Sequence, residues 1–252
     1  MDKKKTRIKS VLIPLGTLIL LIILGEVLVK VFNVPQITLP APHSVFNALL
    51  TNWRTLLINT GITMLESVLG FILGSLIAYL LAIGFIYSTT IRMAVYPYAV
   101  ALKSTPIIAI APLLILWFGN GMESKIVMSA LVAFFPVLVN SVDGLTSIQS
   151  ELLDLMNSLA STKRQILFKI RIPNSLPNLF TALKISSTLS VVGAVIGEFT
   201  GASKGIGFVI NTSSYYLNTD VMFAAILLIS LVGIFFFYLI SFLERKIVFW
   251  RS

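Results

Sequence analysis

Residues 147–177 read SIQSELLDLMNSLASTKRQILFKIRIPNSLP, an amphipathic segment between two apolar stretches of the chain. Glu151 and Asp154 lie where a first helical turn would favour negative charge. The apolar residues that follow recur at the i, i+3, i+4, i+7 spacing of one helical face. They are Leu152, Leu155, Met156 and Leu159. This pattern predicts a short helix with an exposed apolar ridge, and such a ridge usually contacts a partner.

The second half of this segment predicts another short helix. Thr162 and Gln165 have the spacing of a capping box, in which each residue satisfies a backbone donor of the other. We expect the helix to cover residues 163–171 and to end at Pro173, because proline cannot continue a helix. The segment is therefore expected to form a helix, a tight turn and a second helix.

The composition around this segment is that of a membrane protein. Of 252 residues, 57% are hydrophobic and 12% are charged, and the mean hydropathy is +0.96. These values exclude a disordered chain, a water-soluble enzyme and a coiled coil. The net charge of +9 comes from clusters that flank apolar stretches, which argues against nucleic-acid binding. Cysteine is absent, which excludes disulfides and a thiol nucleophile.

Six stretches reach or approach the roughly 20 apolar residues that a spanning helix needs. We expect an all-α fold in which a basic N-terminus (1–10) precedes a single transmembrane domain (11–248) and a short tail (249–252). The amphipathic segment is an inner loop at 146–175. The first span is too long for a signal peptide and is interpreted as an uncleaved anchor. The spans are predicted at 11–32, 61–85, 91–117, 126–142, 179–199 and 221–240.

The distribution of Lys and Arg predicts the orientation of these spans. With the N-terminus inside, thirteen basic residues fall on inner segments and four on outer ones. Inner loops carry the excess of basic residues in membrane proteins. Both termini and the amphipathic loop are therefore expected in the cytoplasm.

The third span carries three prolines, Pro97, Pro106 and Pro112, which should kink or break it. Broken helices survive in a membrane only beside protein or a water-filled cavity. The span is therefore either a lining element of a pathway or an ordinary kinked packing helix. Glycines at four-residue spacing, Gly70 with Gly74 and Gly193 with Gly197 and Gly201, favour close helix packing within one chain or between two.

Charged residues in spans are costly and suggest a function. Lys103 is the deepest, and it either offers positive charge to an anionic solute or pairs structurally with Glu66 or Glu198. Thr105 and Asn140 are polar candidates for the same pathway. The single histidine, His43, lies in a proline-rich outer loop and is assigned no role.

The amphipathic loop resembles the EAA loop of ABC-transporter permeases of the binding-protein-dependent importer type. Asp154, Leu155 and Met156 stand at the Glu-Ala-Ala positions, and Ala160 stands where the family has glycine. The ending Ile-x-Leu-Pro is matched by IRIP at 170–173, with Pro173 thirteen residues after Ala160. Alanine makes the turn at residue 160 less free than glycine would.

Further stretches are similar to the branch that imports nitrate, taurine and alkanesulfonates, with relatives for thiamine-pyrimidine precursors and riboflavin. They include PIIAIAPLLILWFGNGMESKI from Pro106 and VIGEFTGASKGIGFVI from Val195. The likeness covers roughly residues 38–245. It implies a type I importer fold with six spans in a bacterial inner membrane.

The resemblance also implies partners. The short inner helix would dock in a groove on a separate ATPase subunit, present in two copies, which holds ATP and Mg²⁺. A second permease copy would complete the pathway, and an external binding protein would deliver the solute. The chain itself would bind no cofactor or metal. The coupling residues would be Glu151, Leu152, Asp154, Leu155, Met156, Leu159, Ala160, Lys163 and Pro173.

Other interpretations remain. The inner helix could instead lie on the membrane surface. An ATP-independent secondary transporter or channel would favour internal repeats, and the two halves of the sequence show none. An intramembrane enzyme would need a Ser/His pair, paired Asp or a His-rich metal set within its spans, and the sequence offers one His, outside them. We therefore expect the chain not to be an enzyme by itself. It also lacks the G-x-x-x-x-G-K-[ST] loop that cradles ATP phosphates.

Overall fold

The computed structural model describes the backbone of residues 2–251 and the side chains of residues 12–102 and 104–250. All regular elements in that part of the chain are helical, which confirms the predicted all-α fold. A π-helical turn, Leu167–Arg171, joins α8 to α9, and a 3-10 turn, Phe249–Arg251, follows α11. The helices are α1 Asp2–Val31, α2 Pro42–Thr51, α3 Trp53–Tyr87, α4 Thr89–Ser104, α5 Ile107–Phe118, α6 Met122–Thr146, α7 Ser150–Ser158, α8 Lys163–Ile166, α9 Ile172–Gly201, α10 Ile206–Tyr215 and α11 Thr219–Ile247.

Five helical stretches are long and apolar enough to cross a bilayer. They are Leu12–Val31, Trp53–Tyr87, Met122–Thr146, Lys163–Gly201 and Thr219–Ile247. The predicted third span is the bent pair Thr89–Leu102 and Ile107–Phe118, with an angle of 104° between its halves. Pro106 is the N-cap of α5, so the break falls at the middle proline, while Pro97 and Pro112 lie inside helices.

The chain divides into two compact units, and the first takes residues up to Leu57 together with Val209–Leu228. In this unit Lys30 and Glu26 form an i, i+4 ion pair on α1, with Lys30 Nζ 2.9 Å from Glu26 Oε1. His43 Nδ1 is 2.8 Å from the same oxygen, which joins α2 to α1. The Thr219 hydroxyl donates a hydrogen bond to the Gln36 carbonyl.

The second unit, Ile58–Phe208 with the chain from Ile229 onward, is a bundle centred on α6. The glycines that the sequence singled out bring α3 and α9 against α6. A Cβ added at Gly70 would come within 2.6 Å of the Ile126 carbonyl oxygen, and one at Gly193 within 2.8 Å of Ser129 Cα. Of the two packing alternatives, the structure therefore shows contact within one chain.

The same contacts give the direction of each helix. Gly70 of α3 lies beside Ser129 of α6, and farther along both helices Phe85 shares a buried cluster with Leu145. Residue numbers rise together, so α3 and α6 run parallel. Because α3 and α6 are parallel, the chain between them must return across the membrane from the end of α3 to the start of α6. The helices α4 and α5 form that connection. The bent pair is therefore a broken span and not a re-entrant loop.

Two further contacts complete the bundle. The Phe71 ring of α3 meets the Phe236 ring of α11 edge-on, with centroids 5.0 Å apart. Lys184 Nζ of α9 donates to Glu244 Oε2 of α11 at 2.7 Å, so this pair of charges neutralises itself inside the bundle.

Several predicted boundaries are wrong, and each error has a local cause. The second short helix does not end at Pro173: α8 continues through the π turn into α9, and Pro173 stands in the first turn of α9, where proline is tolerated. The fifth span therefore runs over Lys163–Gly201 and not from residue 179. The fourth span begins at Met122, so Lys125 belongs to α6 and not to an outer loop.

Candidate functional site

The apolar ridge on α7 is the most distinctive surface of the second unit. Leu152, Leu155 and Leu159 are 41%, 55% and 66% exposed, and α7 has no buried residue. Met156, which the sequence placed on the same stripe, is half-buried, and its sulfur accepts a hydrogen bond from the Ser161 hydroxyl. The exposed ridge, defined here as Leu152, Leu155 and Leu159, is thus narrower than the sequence predicted.

Charged side chains lie beside this ridge. Glu151, Asp154 and Lys163 are all exposed, and the described part of the chain shows no ion pair for any of them. Glu151 Oε2 accepts a hydrogen bond of 3.3 Å from the neighbouring Ser150 hydroxyl. Charges that flank an apolar surface in this way form the polar rim of a typical protein interface.

The turn after α7 is held by backbone hydrogen bonds. Ala160 has a φ of 51°, in the left-handed region. Its N–H donates to the Asn157 carbonyl, and the Ser161 N–H donates to the Met156 carbonyl. This is the Schellman arrangement, in which C′ is usually glycine. Ala160 therefore adopts the left-handed conformation expected of the glycine that the family has at this position. Because alanine has a Cβ, its backbone is strained there.

The next turn confirms the predicted capping box. Thr162 Oγ1 accepts a hydrogen bond from the Gln165 N–H, and Gln165 Oε1 accepts one from the Thr162 N–H. The two turns occupy residues 159–162 and separate α7 from α8.

A second feature is a cavity of about 220 Å³ at the break between α4 and α5. Thr105 lines it, as the sequence suggested for a pathway residue, and α6 contributes Phe134 and Phe135. Among the side chains described there, Thr105 carries the only hydroxyl, and the wall is otherwise apolar. The break in the third span therefore borders a cavity. This supports the interpretation that the span lines a pathway, rather than being an ordinary kinked packing helix. The side chain of Lys103 lies outside the described part of the structure.

The other predicted pathway residues lie elsewhere in the bundle. Asn140 Nδ2 donates to the Pro136 carbonyl one turn back on α6, at 2.8 Å. Glu66 and Glu198 are 3% and 1% exposed, and their carboxyl groups interact. Glu198 accepts hydrogen bonds of 2.5 Å from the Thr63 hydroxyl and from the Gly207 N–H. The two acids therefore contact each other inside the second unit, and both their pathway role and their pairing with Lys103 stay predictions.

Lys125 completes that buried cluster, and the sequence analysis missed it. Its Nζ donates at 2.8 Å to the carbonyls of Asn120 and Gly201. The signal was present, because a lysine four residues after Gly121 directly precedes a mostly apolar run that a helix would continue. We expected that lysine in an outer loop only because the start of α6 was placed too late.

Comparison with known proteins adds to this geometry. Residues 70–249 match the family described as binding-protein-dependent transport system inner membrane component. A Haemophilus influenzae protein described as an ABC transporter permease is 33% identical, over 97% of this chain and 98% of its own length. The formylaminopyrimidine transport permease ThiX of Halalkalibacterium halodurans is 35% identical over 73% of this chain and 74% of its own. The aliphatic sulfonates transport permease SsuC of Bacillus subtilis is 31% identical over 76% and 69%.

Among solved structures, the inward-facing methionine ABC transporter MetNI shares the fold. One of its chains superposes with a TM-score of 0.60 at 24% identity, over 81% of this chain and 96% of its own.

Proposed function

The chain belongs to the family of binding-protein-dependent transport system inner membrane components, as a permease subunit of an ABC importer, and we propose that its exposed ridge on α7 is the surface on which a separate ATPase subunit drives it. The observation that carries the proposal is the ridge itself. Two exposed leucines on a helix of nine residues and a third, Leu159, at its C-cap have no cover within the second unit. An apolar surface with a charged rim is the composition that protein partners bury.

The coupling roles follow from this placement. Leu152, Leu155 and Leu159 fill the groove of the ATPase, and Met156 supports them from the inner side of α7. Glu151, Asp154 and Lys163 pair with charges at its rim. Ala160 forms the turn that presents α7, and Pro173 starts the span that receives the motion. ATP and Mg²⁺ bind to the partner, which accords with the missing phosphate loop in this sequence.

A second copy of this chain closes the pathway. The cavity at the α4–α5 break is lined on the α5 side by Ile107 and Ile110. Farther along α5, Leu116 and Trp117 are uncovered, with 78% and 67% exposure. Most oligomers of identical chains are two-fold dimers, and a two-fold axis beside α5 would join two such cavities into one route. An external binding protein docks at the end of the bundle opposite α7 and delivers the solute there.

The location follows from the family and from charge. The family is one of inner membrane components. The excess of basic residues on inner segments supports a bacterial inner membrane location with both termini and α7 on the cytoplasmic side. The ATPase subunit, which needs cytoplasmic ATP, can then reach α7.

For the solute we propose a small neutral heterocycle of the pyrimidine type. The relative named for formylaminopyrimidine is 35% identical, and the cavity wall presents two phenylalanines and one hydroxyl. Aromatic rings and a single polar contact suit a flat heterocycle. A sulfonate is the second candidate, because a sulfonate permease is 31% identical and Lys103 lies two residues from Thr105.

Reconstitution tests the proposed function. The chain is purified with the candidate ATPase and binding protein in proteoliposomes, and uptake of a formylated aminopyrimidine and of an alkanesulfonate is measured with and without ATP. We expect ATP-dependent uptake of the pyrimidine by a complex that contains two copies of the chain. Uptake by the chain alone, driven by a proton or sodium gradient, would instead establish a secondary transporter.

A further inference from the structure

The segment that contains α7 leaves and re-enters the bundle at one place. Arg171 Nη1 donates a hydrogen bond of 2.6 Å to the Leu145 carbonyl. Asn174 Nδ2 donates to the carbonyls of Gly144 at 3.3 Å and Ser147 at 3.0 Å. These carbonyls lie at the C-terminal end of α6, where a helix leaves its carbonyl groups without helical partners. Two side chains at the junction of the π turn and α9 therefore cap α6.

The backbones at this point are also in direct contact. A Cβ added at Gly144 would lie 3.0 Å from Ser175 Cα, so no side chain separates α6 from α9 there. Leu145 and Leu167 are buried in one cluster beneath the same junction. Arg171 is the last residue of the π-helical turn. Such turns are rare, and they are frequent at functional sites.

The position of α7 gives this junction a mechanical consequence. The helix has no buried residue, and it is connected to the bundle by residues 147–149 on one side and 159–162 on the other. A displacement of α7 is therefore applied to the end of α6 and, through α8 and the π turn, to the start of α9. If the end of α6 and the start of α9 were independent, a displacement of α7 could move one of them without the other.

We propose that Arg171 and Asn174 are positioning residues for coupling: they clamp the start of α9 to the end of α6, so that a displacement of α7 moves both spans as one body. This inference rests on the proposed function, because it needs an ATPase to move α7. The clamp consists of Arg171 and Asn174 with the carbonyls of Gly144, Leu145 and Ser147. None of the residues that the sequence assigned to coupling belongs to it.

The test uses the complete transporter and a reporter in the cavity. The chain has no cysteine, so Thr105→Cys supplies one thiol on the permease. Its labelling rate with a maleimide is compared without nucleotide and with ATP plus vanadate. In the otherwise unaltered complex we expect the nucleotide to change this rate. In Arg171→Met we expect the nucleotide-dependent change to shrink roughly tenfold, the scale of one lost hydrogen bond to a charged group, while the ATPase still binds and hydrolyses ATP.

Two variants separate positioning from general damage. Lys169→Met removes the same charge from an exposed position two residues earlier in the π turn, and it should leave the nucleotide response unchanged. Arg171→Lys keeps a donor that can reach one carbonyl and should restore part of the response. If Arg171→Met fails to assemble, the nucleotide response of Asn174→Ala tests the clamp instead. Asn174 is exposed, so removing its side-chain amide should reduce the response without unfolding the bundle.

The contrary results are distinct. A full nucleotide response in assembled Arg171→Met, or in Asn174→Ala where the first variant does not assemble, overturns the clamp and leaves the proposed function standing. Failure of the unaltered chain to bind any ATPase overturns the proposed function, and the clamp with it.

Discussion

At the scale of single residues, the exposed ridge on α7 makes the sharpest prediction. Leu155→Asp places a carboxylate at the centre of the ridge, where burial against an apolar groove would leave it unpaired. We expect association with the ATPase to weaken by at least about 2 kcal/mol, roughly thirtyfold. Asn157→Asp adds the same charge to the polar side of α7 and is the matched control. Binding of the ATPase is measured by co-purification and titration. Equal binding by both variants would show that the exposed ridge is not part of the interface.

The strained turn after α7 predicts a stabilising substitution. Ala160 adopts a φ of 51°, which costs an L-residue with a Cβ about 1–2 kcal/mol. Ala160→Gly removes that strain but adds backbone entropy of about 0.5–1 kcal/mol to the unfolded chain. The net effect should be slower amide hydrogen exchange at residues 159–162.

Ser158→Gly is the control for this prediction, since residue 158 is helical and glycine there should speed exchange. Faster exchange in Ala160→Gly would show that the left-handed turn is not the conformation the protein holds.

At the scale of whole helices, the close contacts of α3 with α6 predict a difference between two glycines. Gly70→Ala puts a methyl group within 2.6 Å of the Ile126 carbonyl oxygen, and the overpacking should cost about 1–3 kcal/mol. Gly84→Ala, on the same helix, meets nothing within 4 Å and should leave the thermal midpoint in detergent unchanged or slightly higher. A Gly70→Ala variant as stable as Gly84→Ala would contradict the packing of α3 on α6.

Much of this architecture was predictable, because apolar length and the spacing of small residues are local signals. The apolar stretches gave the number of spans, and Pro106 gave the break in the third. Capping chemistry at Thr162 and Gln165 is equally local, and it was predicted correctly.

The errors had two sources: local signals that were interpreted wrongly, and contacts that form only in the folded bundle. Pro173 looked like a helix end, but a first-turn proline is compatible with the start of α9. Lys125 looked like a loop residue because the start of α6 was placed too late, and its partners, the carbonyls of Asn120 and Gly201, meet only in the folded bundle. Arg171 and Asn174 looked like inner-loop polar residues, and their acceptors lie about 30 positions earlier in the chain.

At the scale of the molecule, the chain is a membrane bundle, and we propose that its motion comes from another subunit. Its family and its fold assign it to the permeases of ABC importers. The sequence predicts the spans, and the structure adds a cavity beside the broken third span. The exposed helix α7 is the element through which an ATPase could move the spans and open or close the cavity.

Site-directed cross-linking of α7 to the ATPase tests this account most directly. Leu155→Cys provides a single thiol in an otherwise cysteine-free permease, and a short bifunctional reagent is applied to complexes that are transporting solute in proteoliposomes. The account predicts a cross-link to the ATPase subunit whose yield changes between the nucleotide-free and ATP-bound states. A transporting complex in which this thiol never reaches the ATPase, or is labelled by an impermeant reagent from the outer face, would contradict it.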